Sequence, residues 1–146
     1  MKKSIILVAL LALGLAASAQ RTTGLNLRVG GGYPAHANLG IGYNITPRLS
    51  VELQAFTTTQ FFGIAGGIDA RYYFLEKPIT PFVNLRAGYG MLGKTLENKN
   101  FYDLTFSGMV GVSWKRFDLG VGMGYDLYNP FIPFVNLSYS IPLGRN

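Results

Sequence analysis

Beyond residue 24 the chain alternates apolar and polar residues one by one, the period of a strand with two unlike faces. Between Asn38 and Asn44, Leu39, Ile41 and Tyr43 point one way while Asn38, Gly40, Gly42 and Asn44 point the other. A turn at Thr46-Pro47 follows, and Leu49, Val51, Leu53 and Ala55 then alternate with Ser50, Glu52 and Gln54, which predicts a hairpin. The same unit recurs. Ile64, Ile68, Ala70, Tyr72 and Phe74 oppose Asp69, Arg71 and Tyr73, and past the Glu76-Lys77-Pro78 turn Val83, Leu85, Ala87 and Tyr89 oppose Asn84, Arg86 and Gly88. Leu104, Phe106, Val110, Val112 and Trp114 face away from Thr105, Ser107, Gly111 and Ser113. Beyond Lys115-Arg116, Leu119, Val121, Met123, Tyr125 and Leu127 oppose Gly120, Gly122, Gly124 and Asp126. A first strand around Leu25 to Gly30 and a last from Val135 to Ile141 complete eight. No segment after residue 19 has a helical period or an apolar run of transmembrane-helix length.

Residues 20–146 number 127. Eight strands of about 10 residues use roughly 80 of them and leave room for seven connections, whereas ten strands would leave almost none. Eight is also the minimum for bacterial single-chain membrane barrels. The pattern thus predicts an all-β fold, an eight-stranded antiparallel up-and-down transmembrane β-barrel. The Pro-Phe-Val-Asn-Leu run at Pro81 and again at Pro133 is hairpin self-similarity, not a solenoid repeat.

Composition decides which face meets solvent. Charged residues make up 14% of the chain, against about 25% in ordinary soluble domains. A soluble, lipocalin-like barrel would carry its apolar row inside and Lys, Glu and Thr outside. Here the polar row is mostly Gly, Asn and Ser, small enough for a narrow lumen and poor at keeping a protein in solution. The apolar row is therefore expected to face lipid, with Tyr43, Tyr72, Phe74 and Trp114 near strand ends as an interfacial girdle.

The start of the chain bears on compartment. Met1-Lys2-Lys3-Ser4 is positive, Ile5 to Ala16 is apolar but short for a bilayer span, and Ala17-Ser18-Ala19 is a small-residue cleavage site, so residues 1–19 read as a cleaved signal peptide and 20–146 as the barrel domain. A retained membrane anchor would need a longer apolar run. There is no cysteine, hence neither disulfide framework nor lipoprotein attachment. Without Lys2 and Lys3 the remainder has 11 Lys and Arg against 7 Asp and Glu, a net +4 with no run dense enough for nucleic acid.

The signal end Ala17-Ser18-Ala19-Gln20, the strand-turn-strand from Gly40 to Glu52 (Gly-Ile-Gly-Tyr-Asn-Ile-Thr-Pro-Arg-Leu-Ser-Val-Glu), the Arg71-Tyr72-Tyr73-Phe74 strand end and Thr80-Pro81-Phe82-Val83 resemble the outer-membrane β-barrel, or "porin family", proteins of the Bacteroidetes. These are similar in turn to the small OmpA and OmpX type of barrel. The resemblance implies residence in the cell outer membrane after signal-directed export, as a monomer, with outer-membrane lipids, lipopolysaccharide, periplasmic chaperones and the barrel assembly machinery as partners. It also implies a barrel that starts in the periplasm, with outward loops near Tyr33-Pro34, Thr57 to Gln60, Gly93 to Asn100 and Tyr128 to Pro133, all short. Members often end on an aromatic residue, whereas this chain ends Ile141-Pro142-Leu143-Gly144-Arg145-Asn146.

Signals for chemistry are sparse. His36 stands alone, and the Ser that a barrel of the lipid A deacylase type would place two residues on is Asn38 here, so His36 reads as a loop residue. One histidine and no cysteine leave only scattered carboxylates for a metal. Gly120-Val121-Gly122-Met123-Gly124 lacks the spacing and the following helix of a nucleotide loop, and the glycosylation-like triplets at Asn44 and Asn136 fall in strands of an exported bacterial protein. No catalytic, cofactor or metal site is expected. Six charges lie on the polar row, Arg28, Glu52, Asp69, Arg71, Arg86 and Asp126, three of each sign. They are expected to neutralise one another in a closed lumen, since eight strands enclose just enough space for side chains. Counting from the turns puts Glu52 beside Arg71, with Arg86 near enough to share that carboxylate or reach Asp69. The expected role is structural, in envelope integrity or surface contact. The alternatives are a transporter or binder of small or apolar molecules and, more remotely, a lipid A-modifying enzyme.

Overall fold

The computed structural model describes residues 23–33, 36–58, 63–94, 100–125 and 131–144. Eight strands follow one another: β1 (Gly24–Tyr33), β2 (His36–Asn44), β3 (Leu49–Thr58), β4 (Gly63–Tyr73), β5 (Ile79–Lys94), β6 (Asn100–Trp114), β7 (Phe117–Tyr125) and β8 (Ile132–Pro142). Each pairs antiparallel with the next, and β1 pairs with β8, from Asn26 opposite Pro142 to Tyr33 opposite Val135. Closure leaves the sheet without a free edge along that seam. The predicted signal segment, the Thr59–Gln60 part of the second loop, Glu97, Lys99 and Asp126 lie outside the described residues.

Short turns hold one end of the barrel. Thr46 closes the β2–β3 turn: its Oγ1 accepts from the backbone N–H of Arg48 and Leu49 at 3.1 and 3.0 Å, the local side-chain bonding that favours Thr in turns. Thr80 does the same for the β4–β5 turn, accepting from Leu75 N at 2.8 Å. Trp114 opposite Phe117 leaves only Lys115 and Arg116 in the β6–β7 turn. At the other end β5 and β6, at 16 and 15 residues, outrun strands of 9 to 11, with a register shift between Met91 and Gly93.

The barrel is inside-out. Among the described residues, fifteen buried side chains are polar or charged and five are apolar. The outward row carries the large apolar residues, with Leu53 63% and Leu85 64% exposed. Inside, Tyr73, Phe82 and Met109 form a small apolar cluster against which Phe134 packs. Glycine makes room for it: a Cβ on Gly111 would stand 2.2 Å from the Leu119 carbonyl oxygen and 2.8 Å from the Phe82 ring. Likewise a Cβ on Gly42 would lie 2.2 Å from Cγ of Glu52, so the charged side chains below also depend on bare backbone opposite them.

Candidate functional site: the charged lumen

Alternation delivers the charges to one place. Arg28 on β1, Glu52 on β3, Asp69 and Arg71 on β4, Arg86 on β5 and Asp118 on β7 all occupy inward positions and are buried. Arg28 sits at the junction. Its Nε donates to both Glu52 oxygens at 2.9 Å, its Nη1 to Asp118 Oδ2 and, at 3.4 Å, to Ser138 Oγ, and its Nη2 to the Tyr73 hydroxyl at 3.1 Å. Glu52 also accepts from Ser50 Oγ at 3.0 Å and Gln54 Nε2 at 2.9 Å. Asp118 Oδ2 accepts further from Arg71 Nη1 at 2.6 Å and the Tyr73 hydroxyl at 3.0 Å.

From Arg71 the network continues. Its Nη2 lies 3.9 Å from Asp69 Oδ1, and its guanidinium covers the Phe82 ring at 5.2 Å. Asp69 Oδ2 accepts from Arg86 Nε and Nη2 at 3.1 and 3.0 Å, and Asp69 Oδ1 accepts from Asn84 Nδ2. Arg86 Nη2 donates to Gln54 Oε1 at 2.5 Å, and Gln54 donates to Glu52. The path therefore closes on itself: Arg28, Glu52, Gln54, Arg86, Asp69, Arg71, Asp118 and back to Arg28. Three cations and three anions are balanced in a ring that spans β1, β3, β4, β5 and β7. Every link except Asp69–Arg71, an ion contact at 3.9 Å that leaves Arg71 Nε and Nη2 without a hydrogen-bond partner, is a hydrogen bond, and charge-assisted bonds of this kind offset the large cost of taking ions out of water.

Five of the six charges read from the polar row, Arg28, Glu52, Asp69, Arg71 and Arg86, meet in this ring. Asp126 lies outside the described residues, and the third anion in the ring is Asp118. Asp118 shares the parity of Gly120 and Gly122, so extending the alternation of β7 by one step toward its turn would have found it. The expected direct contact of Glu52 with Arg71 is not formed. The β3–β4 register sets Glu52 opposite Asp69 and Arg71 opposite Ser50, so each carboxylate turns from the other, Glu52 toward Arg28 and Asp69 toward Arg86. Arg86 does stand opposite Asp69.

Little else in the described residues gathers reactive groups. No cluster of three or more His, Cys, Asp or Glu could hold a metal among them. The backbone of His36 opens β2 opposite Gly32. Outside the spanning strands, the Arg48 guanidinium is held above its ordinary pKa, first by a hydrogen bond with Tyr72 and then by the Glu76 carboxylate.

No protein-family model matches the chain, and no curated protein matches it. Among solved structures, the N-terminal β-barrel domain of Pseudomonas aeruginosa OprF aligns with a TM-score of 0.57 over 80% of this chain and 95% of that domain, at 13% identity. The fold is that of a small outer-membrane-type β-barrel. A de novo designed transmembrane β-barrel aligns at a TM-score of 0.43 over 84% of this chain and 100% of its own length, also at 13% identity. Likeness at this identity is one of architecture, and the ring of charges is derived from this chain's own residues.

Proposed function

We propose that the protein is exported by its first 19 residues to the outer membrane and serves there as a sealed structural barrel, without catalytic activity, contributing to envelope integrity. The observation that carries this reading is the pairing of an apolar outer belt with a lumen crossed by a closed ring of ion pairs and hydrogen bonds that passes through Gln54. The belt matches a lipid environment, and the ring together with Phe82, Met109 and Phe134 occupies the space through which a solute would pass. In this reading the chain belongs with the Bacteroidetes-type outer-membrane barrels. It works as a monomer among outer-membrane lipids and lipopolysaccharide, after periplasmic chaperones and the barrel assembly machinery have inserted it.

Envelope fractionation with gels run before and after boiling tests the reading. A closed barrel makes all its backbone hydrogen bonds between strands and resists SDS at room temperature. The protein is expected in the outer-membrane fraction with a migration that changes on boiling. Recovery in the soluble periplasm with identical migration in both lanes would overturn the proposal.

One observation favours a second reading, a binder of apolar molecules. On the outer face of β4 to β7, Gly108 lies between Leu85 and Met123 at the floor of a trough of about 670 Å³, walled by Ile68, Ala87 and Phe106. Its size is within the range of ligand pockets. Gly108→Phe would fill the trough, so it would abolish fluorescent fatty-acid binding in this reading and leave a sealed structural barrel unaffected.

A further inference from the structure

The rim formed by the short turns concentrates positive charge. Arg48 in the β2–β3 turn, Lys77 in the β4–β5 turn and Lys115 and Arg116 in the β6–β7 turn lie on this rim, where Arg48 also meets Glu76 at 2.9 Å. These turns are laced together by backbone hydrogen bonds. Tyr73 N donates to Arg48 O at 2.7 Å, Lys115 N to Pro78 O at 2.6 Å and Ser140 N to Arg116 O at 3.0 Å. The cations therefore form an arc along the rim from β2 to β8.

Just inside this arc runs an arc of rings. Tyr72 meets Phe74 edge-on at 5.4 Å, Trp114 stacks on Phe117 at 6.4 Å, and Phe117 packs on Tyr139 at 4.6 Å. Lys115 Nζ lies 5.9 Å from the Trp114 ring centre. Aromatic side chains of this kind sit at headgroup depth in a bilayer, so cations one step farther out stand at the level of lipid phosphates.

Lys115 adds an independent sign. It has a φ of 57° at the first of two hairpin-loop positions, a place where glycine is at ease and a long side chain is strained. The chain has 19 glycines and still carries lysine there. Strain kept at such a position is consistent with a use for the ammonium group itself.

We propose that the short-turn rim is a binding surface for the phosphate headgroups of anionic phospholipids in the adjoining leaflet, held by Arg48, Lys77, Lys115 and Arg116. This rests on the membrane reading above. The test is native mass spectrometry of the full folded chain released from mixed vesicles of phosphatidylglycerol and phosphatidylcholine, with the boiling gel run in parallel. Wild type is expected to retain phosphatidylglycerol several-fold over phosphatidylcholine. Lys115→Gly combined with Lys77→Gln and Arg116→Gln should bring that ratio close to one while the boiling shift persists, and Lys115→Arg alone should preserve it. Lys115→Gly relieves the backbone, so the single change also serves as a variant whose folding is secure. Equal retention of the two lipids by wild type, or an unchanged preference in the triple variant, would overturn the proposal. Loss of the boiling shift in wild type would instead strike at the membrane reading.

Discussion

Arg28 ties its own strand β1 to three others, bonding to Glu52 on β3, Tyr73 on β4 and Asp118 on β7. Removing one member of such a buried pair strands the other without compensation, at a typical cost of about 3–5 kcal/mol. Glu52→Ala should therefore lower the urea midpoint of the membrane-inserted protein markedly, whereas Glu76→Ala, whose pair with Arg48 is exposed on the rim, should leave it nearly unchanged. A double-mutant cycle should show larger coupling for Arg28 with Glu52 than for Glu52 with Arg71, which touch only through intermediaries. Equal coupling would mean that the ring behaves as a diffuse charge cloud. At this scale the sequence was partly legible. Period two assigns a side chain to a face, which brought Arg28, Glu52, Asp69, Arg71 and Arg86 to the interior row. It does not say which neighbour a long side chain reaches across a lumen, so the partners of Glu52, Arg71 and Asp118 emerge only with the register.

Strands are the level at which alternation is most informative, because each face repeats over many residues. All eight appear at the expected places, but their ends do not follow from the pattern. β5 starts at Ile79, before the apolar alternation from Val83 becomes plain, and β6 starts at Asn100, ahead of Leu104. Pairing across the hairpin carries both farther, Ile79 opposite Trp114 and Asn100 opposite Lys94. Glycine separates the faces in a way that can be measured. Gly111 faces inward against the Leu119 carbonyl and Phe82, whereas a Cβ on outward-facing Gly108 would meet nothing nearer than Leu85 Cδ2 at 3.7 Å. Gly111→Ala should sharply reduce the yield of the unboiled, folded gel band, and Gly108→Ala should leave it at the wild-type level. A similar loss for both would argue against a lumen packed around Gly111.

For the whole molecule, the physical question is which side of the sheet meets which solvent. A low charged fraction, small polar residues on one row and large apolar ones on the other are what a chain needs to turn its apolar face to lipid, and the closed eight-stranded barrel has that distribution. Pairing β1 with β8 is a global property that no local segment encodes; strand number and the even, all-antiparallel order made it the economical solution. The absence of native cysteine allows a direct test, with single spin-labelled cysteines at Leu53, Leu85, Val110 and Val121 on the outer face and at Lys77 on the rim of the reconstituted protein. Collision rates with oxygen, which concentrates in lipid, and with a water-soluble nickel chelate would be compared at each site. The four outer positions should collide readily with oxygen and be shielded from the chelate, and Lys77 should show the reverse. Chelate access at Leu53, Leu85, Val110 and Val121 equal to that at Lys77 would place the apolar face in water and contradict the account.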